Sequence, residues 1–207
     1  KSPYASPTDM GVNMVGNCII DDEACREASR QEIIRRYYKA LVGVADGTRT
    51  EEELNKLELL MQKEDLLVTD RHVVPPARSR AEASGVAAAA IELTDGRIVT
   101  GKAGELLGSS AAVLMNALKD LAGIPHEELI LSPESIAPIQ ALKTQYLGSR
   151  NPRLHTDEVL IALSATAANN ERAALALAQL PKLRGCQVHS TVMLPAVDQK
   201  TFKKLYC

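Results

Sequence analysis

The stretch Val86–Gly123, VAAAAIELTDGRIVTGKAGELLGSSAAVLMNALKDLAG, constrains the chain more than any other. Two strand-like runs flank Thr94-Asp95-Gly96, and Asp-Gly between such runs signals a tight hairpin turn. The first run is unusually rich in alanine, which lets a helix pack close to the sheet. After a glycine-punctuated loop, Ala112, Val113, Met115, Leu118 and Leu121 cover most of a helix circumference, so that helix is buried on more than one side. Ser109 or Ser110 is its expected cap, Gly123 its C′ residue, and Pro125 lies just beyond.

Upstream, Ser2-Pro3 and Ser6-Pro7 disfavour helix before each proline. Residues 1–20 read either as a solvated strap or as a loop that feeds Thr8, Asp9 and Asn13 into a site completed by another domain. Residues 21–42 predict a helix, acidic at its start and basic toward its end as the helix dipole favours. Ile33, Ile34, Tyr37, Tyr38 and Leu41 form its apolar stripe, and Gly43 and Gly47 end it. Thr50-Glu51-Glu52-Glu53 is a capping box that opens a second helix through about Gln62. Leu54, Leu57, Leu60 and Met61 mark its buried face. The two helices read as an antiparallel hairpin too small to be stable alone. Pro75-Pro76 and a polar segment make residues 63–85 a boundary. The expected organisation is a strap and helical hairpin over 1–72 and a main domain over 73–207.

Downstream of Gly123, residues 128–131, ELIL, predict a short buried strand. Ser132-Pro133-Glu134 starts a helix that continues to about Tyr146 and stops at Gly148. Thr156-Asp157-Glu158 caps a long Ala/Leu helix that Asn169-Asn170 interrupts. Residues 186–194 predict a strand, and Asp198 caps a final helix. From residue 86 the order is β-β-α-β-α-α-β-α. That alternation predicts an α/β fold, a three-layer α/β/α domain, in which the opening hairpin makes the sheet mixed rather than purely parallel.

Composition narrows the function classes. Aromatic residues are only 3% of the chain, with no Trp, so stacking platforms for single-stranded nucleic acid are scarce. A net charge of −2 gives no electrostatic footprint for nucleic acid. No apolar run is long enough to span a membrane and no signal peptide is visible. Cys18, Cys25, Cys186 and Cys207 lack C-x-x-C spacing, and free thiols imply a reducing cytoplasm. No H-x-x-x-H or H-E-x-x-H occurs, so neither a metal nor another cofactor is expected. G-x-S-x-G is absent as well. The chain opens on Lys1 without an initiator Met, which reads as part of a longer protein.

Two corners could carry chemistry. Gly101-Lys102-Ala103-Gly104-Glu105-Leu106-Leu107-Gly108-Ser109-Ser110 places three glycines, a lysine and two serines before a helix N-terminus, where backbone N–H groups can cradle an anion. It has neither P-loop nor dinucleotide-fingerprint spacing, and the alternative is a flexible connection with an ordinary serine cap. Asn151-Pro152-Arg153-Leu154-His155-Thr156-Asp157-Glu158 is the densest polar cluster. Arg153 can grip a phosphate or carboxylate bidentately, and His155 can exchange a proton near neutral pH. The alternative there is a capped helix with a surface salt bridge. Lys102, Ser109, Ser110, Asn151 and Arg153 are therefore the candidate ligand-binding residues, and His155 the candidate acid–base group. His189 lies in a period-2 strand and reads as structural; His72 and His126 read as exposed.

The segments TDMGVNMVGNCIIDDE, QEIIRRYYKAL, IELTDGRIVTGK, SRNPRLHTDEVLIALS and LPKLRGCQVHSTVML resemble a conserved bacterial family, domain of unknown function 1846, over essentially the whole chain. Its members are longer, so the resemblance implies a C-terminal portion whose missing N-terminal part is an expected partner. It also implies a cytidine-deaminase-like layer after a helical subdomain. The zinc-ligand sets of such a deaminase are missing, because the first helix opens Ser109-Ser110-Ala111-Ala112 and the next Ser132-Pro133-Glu134. Fold alone licenses no other activity. Two functions remain in view: a non-metal domain that binds a small anionic or nucleotide-like ligand, and a non-catalytic assembly or regulatory module. In the second, the helical hairpin mediates domain or subunit contacts, with a homo-oligomer as the expected state.

Overall fold

The computed structural model describes residues 21–207, which divide into two compact units at Arg71/His72. The strap, with Thr8, Asp9, Asn13 and Cys18, lies outside the described residues.

In the first unit, α1 spans Asp22–Ala45 and α2 spans Glu51–Lys63. Asp21 caps α1 by accepting from the Ala24 N–H at 2.9 Å. Gly43, expected to end α1, is instead buried within it. The turn falls later, at Gly47, whose φ of 75° suits a residue without a side chain. The Thr50–Glu53 capping box is formed in both directions. Ile34, Met61 and Leu66 make the unit's small core, with Ile33, Tyr37 and Tyr38 packed on it.

The second unit opens with α3, Val74–Ser84. The sequence suggested a polar boundary here because of Pro75-Pro76. The prolines sit in the first turn, where backbone N–H groups have no intrahelical acceptor, so they start the helix instead of breaking it. The hairpin follows: β1, Ala88–Glu92, pairs antiparallel with β2, Ile98–Lys102, in the register Ala88↔Lys102 to Glu92↔Ile98. Gly96 takes φ 83° in the turn.

β3, Gln187–Ser190, pairs antiparallel with the other edge of β1, giving the order β2-β1-β3. The expected mixed sheet is therefore corrected to a wholly antiparallel one. Successive side chains of β1 point to opposite faces. Ala90 packs with Val73 and Ala77 at α3. Ala89 and Ile91 join the main core with Val113, Leu114 and Leu118 of α4, Ser109–Leu121. The alanines allow this double coverage.

Three further expectations are corrected. Ser109 and Ser110 do not cap α4; Gly108 holds the N-cap position and the serines lie in the buried first turn. Residues 128–131 form no strand. Leu129 is 74% exposed while Ile130 and Leu131 turn into the core. The Lys119 ammonium ties down this segment by donating to the carbonyls of His126 and Glu128, each at 2.5 Å. Burial lowers the Lys119 pKa from its ordinary value. Asp198 does not cap the last helix, α8 (Ala196–Lys204), which begins two residues earlier.

The remaining elements of the second unit are α5, Pro133–Ala141, capped by Ser132; a π turn, Leu142–Tyr146; α6, Thr156–Ala167; α7, Glu171–Leu177; and a 3-10 turn, Leu180–Leu183. Asn170 separates α6 from α7 by capping the second, its Oδ1 accepting from the Ala173 N–H at 3.1 Å. α4 ends in a Schellman motif: Ile124 N–H donates to Lys119 and Gly123 N–H to Asp120, with Gly123 at φ 66°. No helix among the described residues is long and apolar enough to cross a membrane.

Candidate functional site

The chain leaves β2 through Ala103–Gly108 and, much later, enters α6 through Asn151–His155. These two loops are joined by one parallel bridge between Leu107 and Leu154. The Gly108 N–H donates to the Leu154 carbonyl at 3.1 Å, and the Leu154 N–H donates to the Leu106 carbonyl at 2.9 Å. Leu154 is fully buried, so its side chain anchors the bridge in the core. The next residue on each side, Gly108 and His155, is an N-cap. Helices α4 and α6 consequently start beside one another, and the two corners singled out in the sequence are neighbours.

Arg153 fastens them further. Its Nε donates to the Gly104 carbonyl at 2.7 Å, and its backbone N–H donates to Asn151 Oδ1 at 3.1 Å. Beneath the loop lies Lys143, buried on the π turn. Its Nζ donates to the Arg153 carbonyl at 2.6 Å and to Glu158 Oε2 at 2.7 Å. The same Glu158 oxygen accepts from the His155 N–H at 2.7 Å. An ion pair thus holds the loop backbone from below.

The first turn of α6 is served by a residue from α8. Asp198, 3% exposed, accepts through Oδ1 from the Thr156 N–H at 2.9 Å and from the Thr156 hydroxyl at 2.8 Å. Its other oxygen lies 3.5 Å from His155 Nδ1. A carboxylate already sits where the N–H groups of α6 would attract an anion. At α4 the N-cap is glycine and contributes no side-chain bond.

An open cleft of about 500 Å³ lies at this corner, lined by Glu105, Arg150, Asn151, Pro152 and Arg153. Of the residues expected at a site, Asn151 and Arg153 line it together. Lys102 is exposed at the end of β2 and is not part of the lining. Ser109 and Ser110 are 6% and 3% exposed in α4. His155 is half-buried against Asp198. Sequence reasoning missed Glu105 and Arg150 as lining residues, and Lys143 and Asp198 as supports. The supports were invisible because their partners are distant in sequence.

Gly101, read as a possible anion-cradling glycine, has a packing role. A Cβ there would lie 2.3 Å from the Val113 nitrogen, so only glycine lets β2 approach α4 this closely. His189, on β3, pairs with Ala90 of β1. His72 is exposed with Nδ1 3.0 Å from Glu92. The residues that open α4 and α5 offer no thiolate or imidazole, so they do not fit a deaminase-type zinc ion. Among the described residues, no three His, Cys, Asp or Glu side chains cluster as metal ligands.

Comparison with known proteins gives the family. The model described as "Domain of unknown function DUF1846, C-terminal" matches residues 69–207, and its N-terminal counterpart matches residues 1–65. Sequence of the family's N-terminal domain is therefore present in the chain, which corrects the expectation of a purely C-terminal portion. The chain is 59% identical over 205 residues to a "UPF0371 protein" of Corynebacterium glutamicum (strain R), covering 99% of this chain and 41% of the relative. It is 52% identical over 205 residues to a "UPF0371 protein" of Streptococcus thermophilus (strain ATCC BAA-491 / LMD-9), covering 99% and 42%. The chain thus spans about two fifths of the length of these relatives. Matched by both of its domain models along nearly its whole length, the chain belongs to the DUF1846 family.

Proposed function

We propose that the chain is a non-metal domain that binds a small anionic or nucleotide-like ligand at the corner where α4 and α6 begin. One observation carries this reading. The Leu107–Leu154 bridge and the Arg153–Gly104 bond fix a basic cleft whose arginines have no carboxylate partner among the described residues. Elsewhere on the same unit, Arg97 is paired with Asp95 and Asp120 and Arg172 with Glu128, while Arg184 lies over the Tyr206 ring. Arg150 and Arg153 supply forked donors suited to phosphate or carboxylate. Lys102 adds long-range attraction from the end of β2. Where proton transfer follows binding, His155 is the acid–base group and Asp198 holds its ring.

The scaffold for this site is, in the same proposal, a deaminase-like layer without zinc ligands. The hairpin of β1 and β2 followed by buried α4 supports it. A cytoplasmic location agrees with Cys25, Cys186 and Cys207 being free thiols.

The test is thermal shift of the whole protein against pyrophosphate and nucleotides. Binding raises the melting temperature, and Arg153→Ala removes the rise. No shift with any anion discards the ligand reading. It would favour the second one, an assembly module whose helical hairpin contacts another domain or subunit. Exposed Leu59 and Leu60 on α2 and Leu67 just after it support that alternative.

A further inference from the structure

We infer that the ligand of this cleft is a phosphorylated polyhydroxy compound of sugar-phosphate type, and that Glu105 selects its hydroxyl end. This deepens the anion-binding reading and rests on it. Five residues line the cleft, and they are chemically divided. Arg150, Asn151 and Arg153 offer donors, suited to a doubly charged phosphoryl group. Glu105 offers only acceptors when ionised, so it suits ligand groups that donate. Neither the Glu105 carboxylate nor the Arg150 guanidinium has an ion-pair partner among the described residues, although both are exposed at one cleft. Both remain available to a ligand.

The Glu105 backbone is also held in place. Its carbonyl accepts from Gln140 Nε2 at 3.2 Å, and the neighbouring Gly104 carbonyl accepts from Arg153. The backbone carrying Glu105 and the Arg153 side chain are thereby fixed relative to each other, which reduces the ordering cost of binding. No aromatic side chain lines the cleft, and Pro152 is its one apolar member. The lining therefore offers hydrogen bonds to hydroxyls and no stacking platform for a base. A phosphate alone satisfies the arginines and leaves Glu105 unused. A ligand with a phosphate at one end and hydroxyls at the other uses both walls.

Isothermal titration of the whole protein tests this with glucose 6-phosphate, inorganic phosphate, glucose, glutamate and AMP. Glucose 6-phosphate is expected to bind at least about tenfold more tightly than inorganic phosphate, and glucose not measurably. Glu105→Gln should lose about tenfold for glucose 6-phosphate, whose hydroxyl contacts weaken, while inorganic phosphate should bind as well or better because the carboxylate no longer repels it. Arg153→Ala should weaken both. Equal affinity for phosphate and glucose 6-phosphate, insensitivity to Glu105→Gln, or tighter binding of AMP or glutamate each overturns the assignment of the ligand class while leaving anion binding intact. Binding of none of the anions overturns both.

Discussion

Asp198 Oδ1 accepts two hydrogen bonds from Thr156, one from its N–H and one from its hydroxyl, across 42 positions of sequence. The carboxylate of α8 thus completes the first turn of α6, and both partners are almost wholly buried. Asp198→Ala leaves a buried N–H and a buried hydroxyl without an acceptor. It should destabilise the second unit by about 2–4 kcal/mol. Asp198→Asn keeps one oxygen in place and should cost less than half as much. Urea denaturation of the two variants against wild type measures the difference. Equal losses would remove the hydrogen bonds as the cause.

Gly101→Ala addresses the contact between β2 and α4. The added methyl would meet backbone atoms of Val113 and Ala112 at 2.3–2.7 Å, and backbone cannot rotate away as a side chain can. A loss of about 3 kcal/mol or more is expected. Gly104→Ala provides the control, since nothing lies within 4 Å of its Cβ position. A stability loss within about 0.5 kcal/mol is expected there. Comparable losses at both positions would argue against close packing as the reason for Gly101.

How much of this was legible in the sequence depends on the span of each interaction. The Thr50–Glu53 box, the Asp95-Gly96 turn, the Ser132 cap and the Gly123 stop are all decided within a few residues, and each formed where the pattern indicated. The antiparallel placement of β3 is decided across roughly a hundred residues, as in the pairing Ala89↔Ser190. So are the Leu107–Leu154 bridge and the Asp198–Thr156 bonds non-local. ELIL failed for a different reason. A four-residue apolar run does not state a period, and Lys119 occupies the carbonyl of Glu128, the first residue of the run.

The first unit should weaken in acid through Glu32. Its carboxylate accepts from Arg35 Nε at 2.5 Å and Nη2 at 2.8 Å, and from Arg36 Nε at 2.8 Å. The Arg35 bond, opposed by desolvation and aided by Arg36, lowers its pKa to about 2. A carboxylate with a depressed folded-state pKa stabilises fully above its unfolded value of about 4.3. That stabilisation disappears as pH falls toward 2. The pair is over one third exposed, so solvent screening holds the effect to about 1 kcal/mol or less. Glu32→Gln should therefore lower stability at pH 7, by a margin that narrows as pH falls from about 5 toward 2. A gap between variant and wild type that stays the same from pH 7 to pH 2 would place its origin outside this titration.

Lys143 and Glu158 provide the strictest test of how the site is supported, because neither lines the cleft. Lys143 is buried, and its ammonium meets the Glu158 carboxylate and the Arg153 carbonyl. Lys143→Met strands the Glu158 carboxylate and frees the loop that carries Arg153. It should cost about 2–4 kcal/mol. Glu158→Gln leaves the ammonium without its counter-charge and also weakens the bond to the His155 N–H. The double variant Lys143→Met/Glu158→Gln removes both charges, so its loss should fall short of the sum by at least about 1 kcal/mol. Calorimetric melting of all four proteins yields that coupling. The same four should be titrated with the anion that shifts wild type. Since Lys143 acts through the loop backbone, Lys143→Met should weaken binding even at a temperature where the variant is fully folded, and Glu158→Gln should weaken it less. Additive stabilities would mean that the two side chains do not act as a pair. Unchanged anion affinity in folded Lys143→Met would mean that Arg153 keeps its position without the lysine beneath it.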